Sequence, residues 1–262
     1  MIKKICILLV LVGFVFSAAE AQKQIVTQTN SWATYMGSHR LSDRWGVYTE
    51  YSWRRSGLSF DNWMQSLSRV AVDYYTKSGA QLSVGYAFIG FYKYGAQPIS
   101  YTRNEQRTFL QLITSQQLGR FYTSNRFRLE QRWLQNKTLS DGNYVMNEDD
   151  PFIYNNRLRY RYSVNVPLTK KTMEDNTLFL AMTDEVFINA GKEIKLNVFD
   201  QNRFITGLGW RFDKNRNIQV GYMNQYIVKG DAKKAERNNT LNLILNWGLD
   251  FRKSTTITAP AK

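Results

Sequence analysis

Polar and apolar side chains alternate with a period of two along most of this chain. In the segment RFRLEQRW, residues 126–133, three arginines and one glutamate occupy every second position, with mostly apolar side chains between them. Alternate side chains of a β-strand point to opposite faces, so the pattern predicts strands with one charged and one apolar face. It predicts eleven strands, near residues 31–39, 44–54, 64–75, 80–91, 104–118, 121–134, 153–167, 177–189, 200–213, 217–228 and 239–251.

Most of these predicted strands are longer than the roughly 5–6 residues usual in globular proteins. They reach the roughly 9–11 residues that cross a bilayer at a tilt. Short connections such as TKSG and DKNRN alternate with longer ones such as YKYGAQPISYTRN and QNKTLSDGNYVMNEDDP. Outer-membrane barrels alternate in this way, with turns in the periplasm and loops outside. We therefore predict an all-β fold, an antiparallel transmembrane β-barrel.

The number of strands is less direct to predict. Eleven strands are visible in the pattern, whereas a closed antiparallel bacterial barrel requires an even number. The segment QKQIVTQT, which precedes the first predicted strand, leaves room for one more strand or for a segment that threads the lumen. We therefore expect about 12 strands, with 10 as the alternative.

The two faces of the predicted strands differ enough to be assigned. One carries residues such as Val70, Val72 and Leu82 and suits lipid. The other carries arginines, each of which would cost about 2–4 kcal/mol at the bilayer midplane, so we expect it to face the lumen. The predicted lumen-lining and anion-binding arginines are Arg107, Arg126, Arg128, Arg132, Arg157, Arg159, Arg161 and Arg203, and their predicted charge partners are Glu50, Glu105, Glu130 and Glu185.

Arginines at successive inward positions form ladders. Arg157, Arg159 and Arg161 are expected about 6.6 Å apart, and we place the arginines of residues 126–132 two strands earlier. Neighbouring arginines repel unless carboxylates or solute anions lie between them. Eight-stranded barrels are filled by side chains and sixteen-stranded ones hold a channel. Two alternatives therefore remain for the lumen: it is packed with side chains, or it forms a narrow, porin-like passage that prefers anions.

The first residues predict export. Residues 1–21 combine two lysines, an apolar run of about 12 residues, shorter than the roughly 20 of a spanning helix, and the small-x-small pattern AEA at 19–21. We interpret them as a signal peptide, followed by one barrel domain at residues 22–262 in the cell outer membrane. The only cysteine, Cys6, lies in the signal, which excludes disulfides and thiolate metal sites from the mature chain.

The formal net charge of +14 indicates anionic surroundings or partners. Nucleic acid is not expected, because arginines and aromatic residues alternate onto opposite faces instead of sharing one. The expected partners are outer-membrane lipid and lipopolysaccharide, the barrel-assembly machinery during insertion, and small anionic solutes.

Catalytic chemistry is sparse in the sequence. His39 is the only histidine, and its neighbour Ser38 would point to the opposite face of a strand. We predict no catalytic residues, no metal site and no cofactor, and hence a protein that is not an enzyme. Two alternatives remain: a barrel enzyme acting on lipids, and a soluble exported β-sandwich with the faces exchanged that binds an anionic ligand.

Several segments carry a family resemblance. They are NSWATYMGSHRLSDRWGVYTEYSWRR, NEQRTFLQL, RFRLEQRW, NNRLRYRYSVNVPL, DEVFINAG and FDQNRFITGLGW, which together span nearly the whole mature chain. In them the chain resembles uncharacterised outer-membrane proteins of Gram-negative bacteria, the domain of unknown function 2490. The resemblance implies a β-barrel, but it implies no established activity and supplies no catalytic residues.

Overall fold

The computed structural model describes residues 23–192, 194 and 196–252. The predicted signal peptide lies outside the described residues. Every regular secondary-structure element among the described residues is a β-strand, which confirms the all-β prediction. Within the same part of the chain, no helix is long and apolar enough to cross a membrane.

Eleven strands form a closed barrel, and a small hairpin stands apart from it. The hairpin consists of β7 (Lys137–Ser140) and β8 (Asn143–Met146). The barrel strands are β1 (Gln24–Arg40), β2 (Trp45–Ser56), β3 (Asn62–Tyr75), β4 (Gln81–Phe91), β5 (Arg103–Leu118), β6 (Phe121–Gln135), β9 (Phe152–Pro167), β10 (Thr177–Ala190), β11 (Phe199–Asp213), β12 (Arg216–Val228) and β13 (Lys234–Trp247).

The barrel closes through one parallel pair. β1 runs parallel to β13, from Gln24 opposite Lys234 to Met36 opposite Asn246, whereas the other pairs of the barrel are antiparallel. In an odd series of alternating strands the first and last run the same way, so they can meet only in parallel. The expected number of 12 strands is therefore wrong, and so is the alternative of 10. The segment QKQIVTQT contributes to β1, which is 17 residues long, instead of forming a further strand.

The predicted strands match the observed ones within one or two residues at most of their ends. The last strand differs, because it begins at Lys234 and ends at Trp247 rather than at Phe251. The N–H of Phe251 instead donates a hydrogen bond of 2.8 Å to the carbonyl of Arg40 at the end of β1. The residues just beyond β13 therefore continue the parallel seam.

The connections separate into a short-turn end and a long-loop end. The short-turn end has residues 41–44, 76–80, 119–120, 168–176 and 214–215, and the long-loop end has residues 57–61, 92–102, 136–151, 191–198 and 229–233. The predicted alternation is thus confirmed in its main lines. The last loop is shorter than the interval of residues 229–238 between the last two predicted strands, because residues 234–238 belong to β13.

The outer wall of the barrel is apolar. Val70, Val72 and Leu82 are about half exposed, as are most of the large apolar residues of the predicted lipid face. Exposed aromatic residues lie near both rims: Trp45, Phe121, Trp210, Phe212 and Trp247 at the short-turn end, and Trp53, Trp63, Phe152 and Tyr154 at the long-loop end. A single closed barrel with its apolar face outward excludes the β-sandwich.

Glycines on the inner wall make room for aromatic rings. A Cβ on Gly85 would lie 2.4 Å from the ring of Phe109, and one on Gly209 would lie 2.1 Å from the ring of Phe179. A ring packed over a glycine of the neighbouring strand fills the lumen and shields the exposed backbone. Phe109 and Phe179 are accordingly buried.

The parallel seam can be tested by crosslinking. Ala33 and Leu243 are opposite each other across β1 and β13. In a Cys6→Ser background, the pair Ala33→Cys and Leu243→Cys should react with a short bifunctional thiol reagent, because adjacent strands are about 4.8 Å apart. The measurement is the shifted migration of the crosslinked chain on a denaturing gel.

The matched control combines Ala33→Cys with Trp247→Cys, which lies four residues further along β13. A displacement of four residues is about 13 Å, beyond the reach of the short reagent. Crosslinking of the control pair in preference to the first pair would contradict the parallel register.

Candidate functional site

The predicted lumen arginines all lie on the inner wall. Seven of the eight line an internal cavity of about 560 Å³. The eighth, Arg128, is packed beside the cavity and is only 1% exposed. Of the predicted charge partners, Glu50 and Glu185 line the cavity, whereas Glu105 and Glu130 are buried behind the arginines that contact them.

Glu130, on β6, is the centre of the ion pairs. Arg157 and Arg159 of the neighbouring β9 each donate to it at 2.6 Å, and two further guanidinium groups lie 3.8 Å away. Glu185, on β10, accepts two hydrogen bonds from Arg159, at 2.8 and 3.0 Å, and another from Arg126. A chain of alternating charges therefore links β6, β9 and β10.

Two other glutamates extend the network around the wall. Glu105 accepts hydrogen bonds from Arg132, at 2.6 and 3.0 Å, and from Arg107. Glu50, across the barrel on β2, is paired with Arg69 of β3. These carboxylates are at most 8% exposed, so each is held by guanidinium groups rather than by bulk water.

The arginine ladders are closer together than the sequence suggested. Arg126 is directly opposite Arg161, and Arg128 is directly opposite Arg159, because β6 and β9 are immediate neighbours. The expectation of a separation by two strands is wrong. The residues between β6 and β9 form the hairpin of β7 and β8 in the connecting loop and add no strand to the wall.

Aromatic faces also contact the arginines. The ring centroid of Phe187 lies 4.4 Å from the guanidinium carbon of Arg159, 4.8 Å from that of Arg203 and 5.2 Å from that of Arg157. The negative face of an aromatic ring attracts a cation, more strongly where water is excluded. Phe187 was not singled out from the sequence, although it shares the inward period of Glu185.

Two lumen carboxylates were missed by the sequence analysis. Asp200 pairs with Arg157 at 2.8 Å, and its neighbour Gln201 also lines the cavity. In a regular strand, only one of two neighbouring side chains would point inward. A β-bulge allows both side chains to point inward, because the register between β10 and β11 shifts at Phe187. Glu236 is 1% exposed, and it was missed because its segment was taken for a loop.

One loop bends across the long-loop end. In the connection of residues 92–102, the hydroxyl of Tyr94 donates to Glu236 at 3.0 Å. Lys229 donates to the same carboxylate and, at 3.2 Å, to the carbonyl of Gln97. A loop that leaves the barrel between β4 and β5 is thus tied to β12 and β13, over the cavity.

Positive charge is in excess around the cavity. Around the cavity, eleven arginines compare with five carboxylates that pair with them. The arginines are Arg54, Arg69, Arg103, Arg107, Arg126, Arg128, Arg132, Arg157, Arg159, Arg161 and Arg203, and the carboxylates are Glu50, Glu105, Glu130, Glu185 and Asp200. Among the described residues, Arg54, Arg103, Arg161 and Arg203 form no ion pair with a carboxylate.

The residues considered for catalysis do not come together. Nε2 of His39 lies 3.2 Å from the hydroxyl of Thr49, and Ser38 is exposed on the other side of β1. No group of three or more histidine, cysteine, aspartate or glutamate side chains that could hold a metal ion occurs in the described part of the chain.

The fold and the lumen together define a closed β-barrel with an ion-paired, arginine-rich interior. The chain belongs to the family described as protein of unknown function, DUF2490, which it matches over residues 29–236. That description names neither an activity nor a location. No curated protein and no solved structure matches the chain.

The importance of Glu130 can be measured by Glu130→Gln. The substitution leaves the guanidinium groups of Arg157 and Arg159 buried with less compensation, and breaking a buried ion pair typically costs about 3–5 kcal/mol. We expect a large fall in the thermal stability of the barrel in detergent, followed as the temperature at which its folded migration on a gel is lost.

The matched control is Glu174→Gln. Glu174 lies in an exposed turn, where its carboxylate accepts a hydrogen bond from the hydroxyl of Thr172 and lies 4.0 Å from Lys170, so its loss should change stability by about 1 kcal/mol or less. Equal stability of the two variants would show that the Glu130 network does not hold the barrel together.

Proposed function

We propose that this protein is an integral outer-membrane β-barrel whose lumen binds small anionic solutes and forms a narrow passage that prefers anions. The main support for this proposal is the excess of arginine over carboxylate side chains around an internal cavity of about 560 Å³. Barrel mouths and interiors are common places for ligands, and cavities of about 300–1,000 Å³ suit small molecules.

The outer wall supports the membrane location. Large apolar side chains that stay exposed around a whole barrel need an apolar environment, because patches of this extent are unfavourable in water. The barrel strands have 11–17 residues, enough to cross the apolar core at a tilt. Aromatic residues near both rims suit the two membrane interfaces. Lipid and lipopolysaccharide are then the outer partners, and the barrel-assembly machinery is the partner during insertion.

The interior supports anion binding rather than free diffusion. Ion pairs that connect β6, β9 and β10 occupy part of the lumen, beside a cavity of about 560 Å³. Four cavity arginines without a carboxylate partner keep their charge available for a solute anion. We therefore propose slow or small-conductance passage.

An enzymatic role is not part of this proposal. His39 is hydrogen-bonded to Thr49 near the short-turn end, and its neighbour Ser38 points to the other side of the strand. A serine nucleophile needs a base within hydrogen-bond reach. The purified protein should therefore not hydrolyse phospholipid or lipid A, and hydrolysis that is lost in His39→Ala would contradict this.

The location is tested by fractionating bacteria that produce the full chain. The protein should sediment with outer membranes, resist extraction at high salt, and migrate differently on gels before and after heating, because a closed barrel resists unfolding by detergent. Recovery as a soluble periplasmic protein would overturn the membrane part of the proposal.

The passage is tested by bilayer recordings in a gradient of potassium chloride. The reversal potential should indicate preference for chloride, and Arg161→Gln should weaken it, because that substitution removes a lumen charge without breaking an ion pair to a described carboxylate. Arg157 and Arg159 are less suitable targets, since their loss also unbalances Glu130.

The control for the recordings is Arg216→Gln, which removes the same charge from a side chain that is 45% exposed and pairs with Asp213 outside the cavity. Its selectivity should equal that of the unmodified protein. Cation preference, or a preference that Arg161→Gln leaves unchanged, would refute a role of the lumen arginines in permeation.

A further inference from the structure

Two of the four cavity arginines without a carboxylate partner meet at one side chain. The guanidinium carbon of Arg54, on β2, lies 4.0 Å from the ring centroid of Trp32, and that of Arg203, on β11, lies 5.1 Å from the same ring. Trp32 lies on β1, and all three side chains line the cavity. We call these three residues the Trp32 pocket.

Neutral groups are the only acceptors these two guanidinium groups have among the described residues. Arg54 donates to the amide oxygen of Gln65 at 2.6 Å and to the hydroxyl of Ser52 at 3.1 Å. Arg203 donates to the amide oxygen of Gln201 at 3.2 Å. Such contacts satisfy some N–H groups but supply no formal negative charge.

The nearest carboxylates on the same wall already have other partners. Glu185 is opposite Arg203 across β10 and β11, but its Oε1 accepts hydrogen bonds from Arg159 and Arg126. Glu50, also on β2, is hydrogen-bonded by arginine and tyrosine side chains of neighbouring positions. Neither pocket arginine therefore has a carboxylate of the described residues as a direct ion-pair partner.

A third donor points to the same conclusion. The indole Nε1 of Trp32 is buried and has no hydrogen-bond partner among the described residues, and the whole residue is 3% exposed. A buried N–H without an acceptor costs free energy comparable to a lost hydrogen bond. An anion held by the two arginines would be an acceptor for it as well.

We propose that the Trp32 pocket binds the oxyanion group, carboxylate or phosphate, of a small solute in the lumen. Guanidinium groups match both oxyanions because they offer two parallel N–H donors. The indole ring positions both guanidinium groups through cation–π contacts. Tyr94, in the loop at the long-loop end, packs against the cluster of Trp32, Met64 and Met223, so the site lies below that loop. This inference rests on the proposed function, which it makes specific.

The test is calorimetric titration of the purified full barrel in detergent, in a zwitterionic buffer at neutral pH. The probes are sodium phosphate and sodium glucuronate, with sodium chloride at equal ionic strength as reference. Saturable binding of phosphate alone assigns phosphorylated solutes, binding of glucuronate alone assigns acidic sugars or other carboxylates, and binding of both assigns oxyanions in general. Each of these three results supports the pocket if the variants behave as follows.

Arg54→Gln and Arg203→Gln should each weaken binding about tenfold or more, since each removes charge-assisted hydrogen bonds. Trp32→Phe keeps an aromatic ring but removes the N–H donor and part of the indole, and it leaves both charges in place, so its effect should be smaller, roughly two- to fivefold. Arg216→Gln, outside the cavity, should bind like the unmodified protein. Arg161→Gln, which removes one charge elsewhere in the cavity, should weaken binding less than either pocket arginine does.

A stability measurement separates binding from a structural role. Without anions, Arg54→Gln and Arg203→Gln should unfold at the same temperature as the unmodified protein or at a higher one, because each removes an uncompensated buried charge. A structural role would lower that temperature and leave the affinity of the folded fraction unchanged, which would overturn the pocket.

Failure of the pocket differs from failure of the proposed function. If the unmodified protein binds the probes but both pocket variants bind equally well, or Arg161→Gln weakens binding as much as they do, the lumen binds anions and the assignment to this pocket is wrong. If the unmodified protein binds neither probe and shows no anion preference in bilayers, the proposed function itself falls.

Discussion

Charge compensation inside a closed wall is the constraint on which this structure depends. A guanidinium group that leaves water needs a carboxylate or other acceptors, because the uncompensated desolvation of a charge costs several kcal/mol. Glu130 meets this need for two arginines of β9, and Glu185 meets it for one arginine of β6 and one of β9. The same contacts connect three strands across the lumen side of the wall. The same ion pairs thus fill the interior of the barrel and compensate its charge.

The interior has two chemically different walls. Arginine and glutamate line β5, β6, β9 and β10, whereas the seam of β1 and β13 presents buried amides and hydroxyls: Asn30, Asn238, Thr240 and Asn242. Arg54 on β2 lies on a strand adjacent to the seam, whereas Arg203 on β11 lies between the two walls, directly opposite Glu185 of β10.

The parallel seam has its own consequence for the lumen. Because β1 and β13 close the barrel, Trp32 of β1 is brought beside residues from the other end of the chain. Met64 and Met223 pack with Trp32, and Tyr94 covers this cluster from the loop between β4 and β5. The aromatic part of the lumen and the loop over it thus depend on the way the barrel closes.

The sequence by itself determined the strands, their two faces and the inward direction of the arginines. These follow from a local rule: a period of two places alternate side chains on opposite faces, whatever the rest of the chain does. Arg157, Arg159 and Arg161 could be assigned to one face in this way, and so could Glu130 and Glu185.

The tertiary structure alone decided how the barrel closes and which charges find partners. The number of barrel strands depends on the parallel meeting of β1 and β13, which are separated by nearly the whole described chain. A bulge turned Asp200 inward against the simple period. Arg54 and Arg203 meet at Trp32 although they come from strands far apart in sequence. No local pattern encodes these contacts, because they arise only when the curvature and register of the whole wall bring distant strands together.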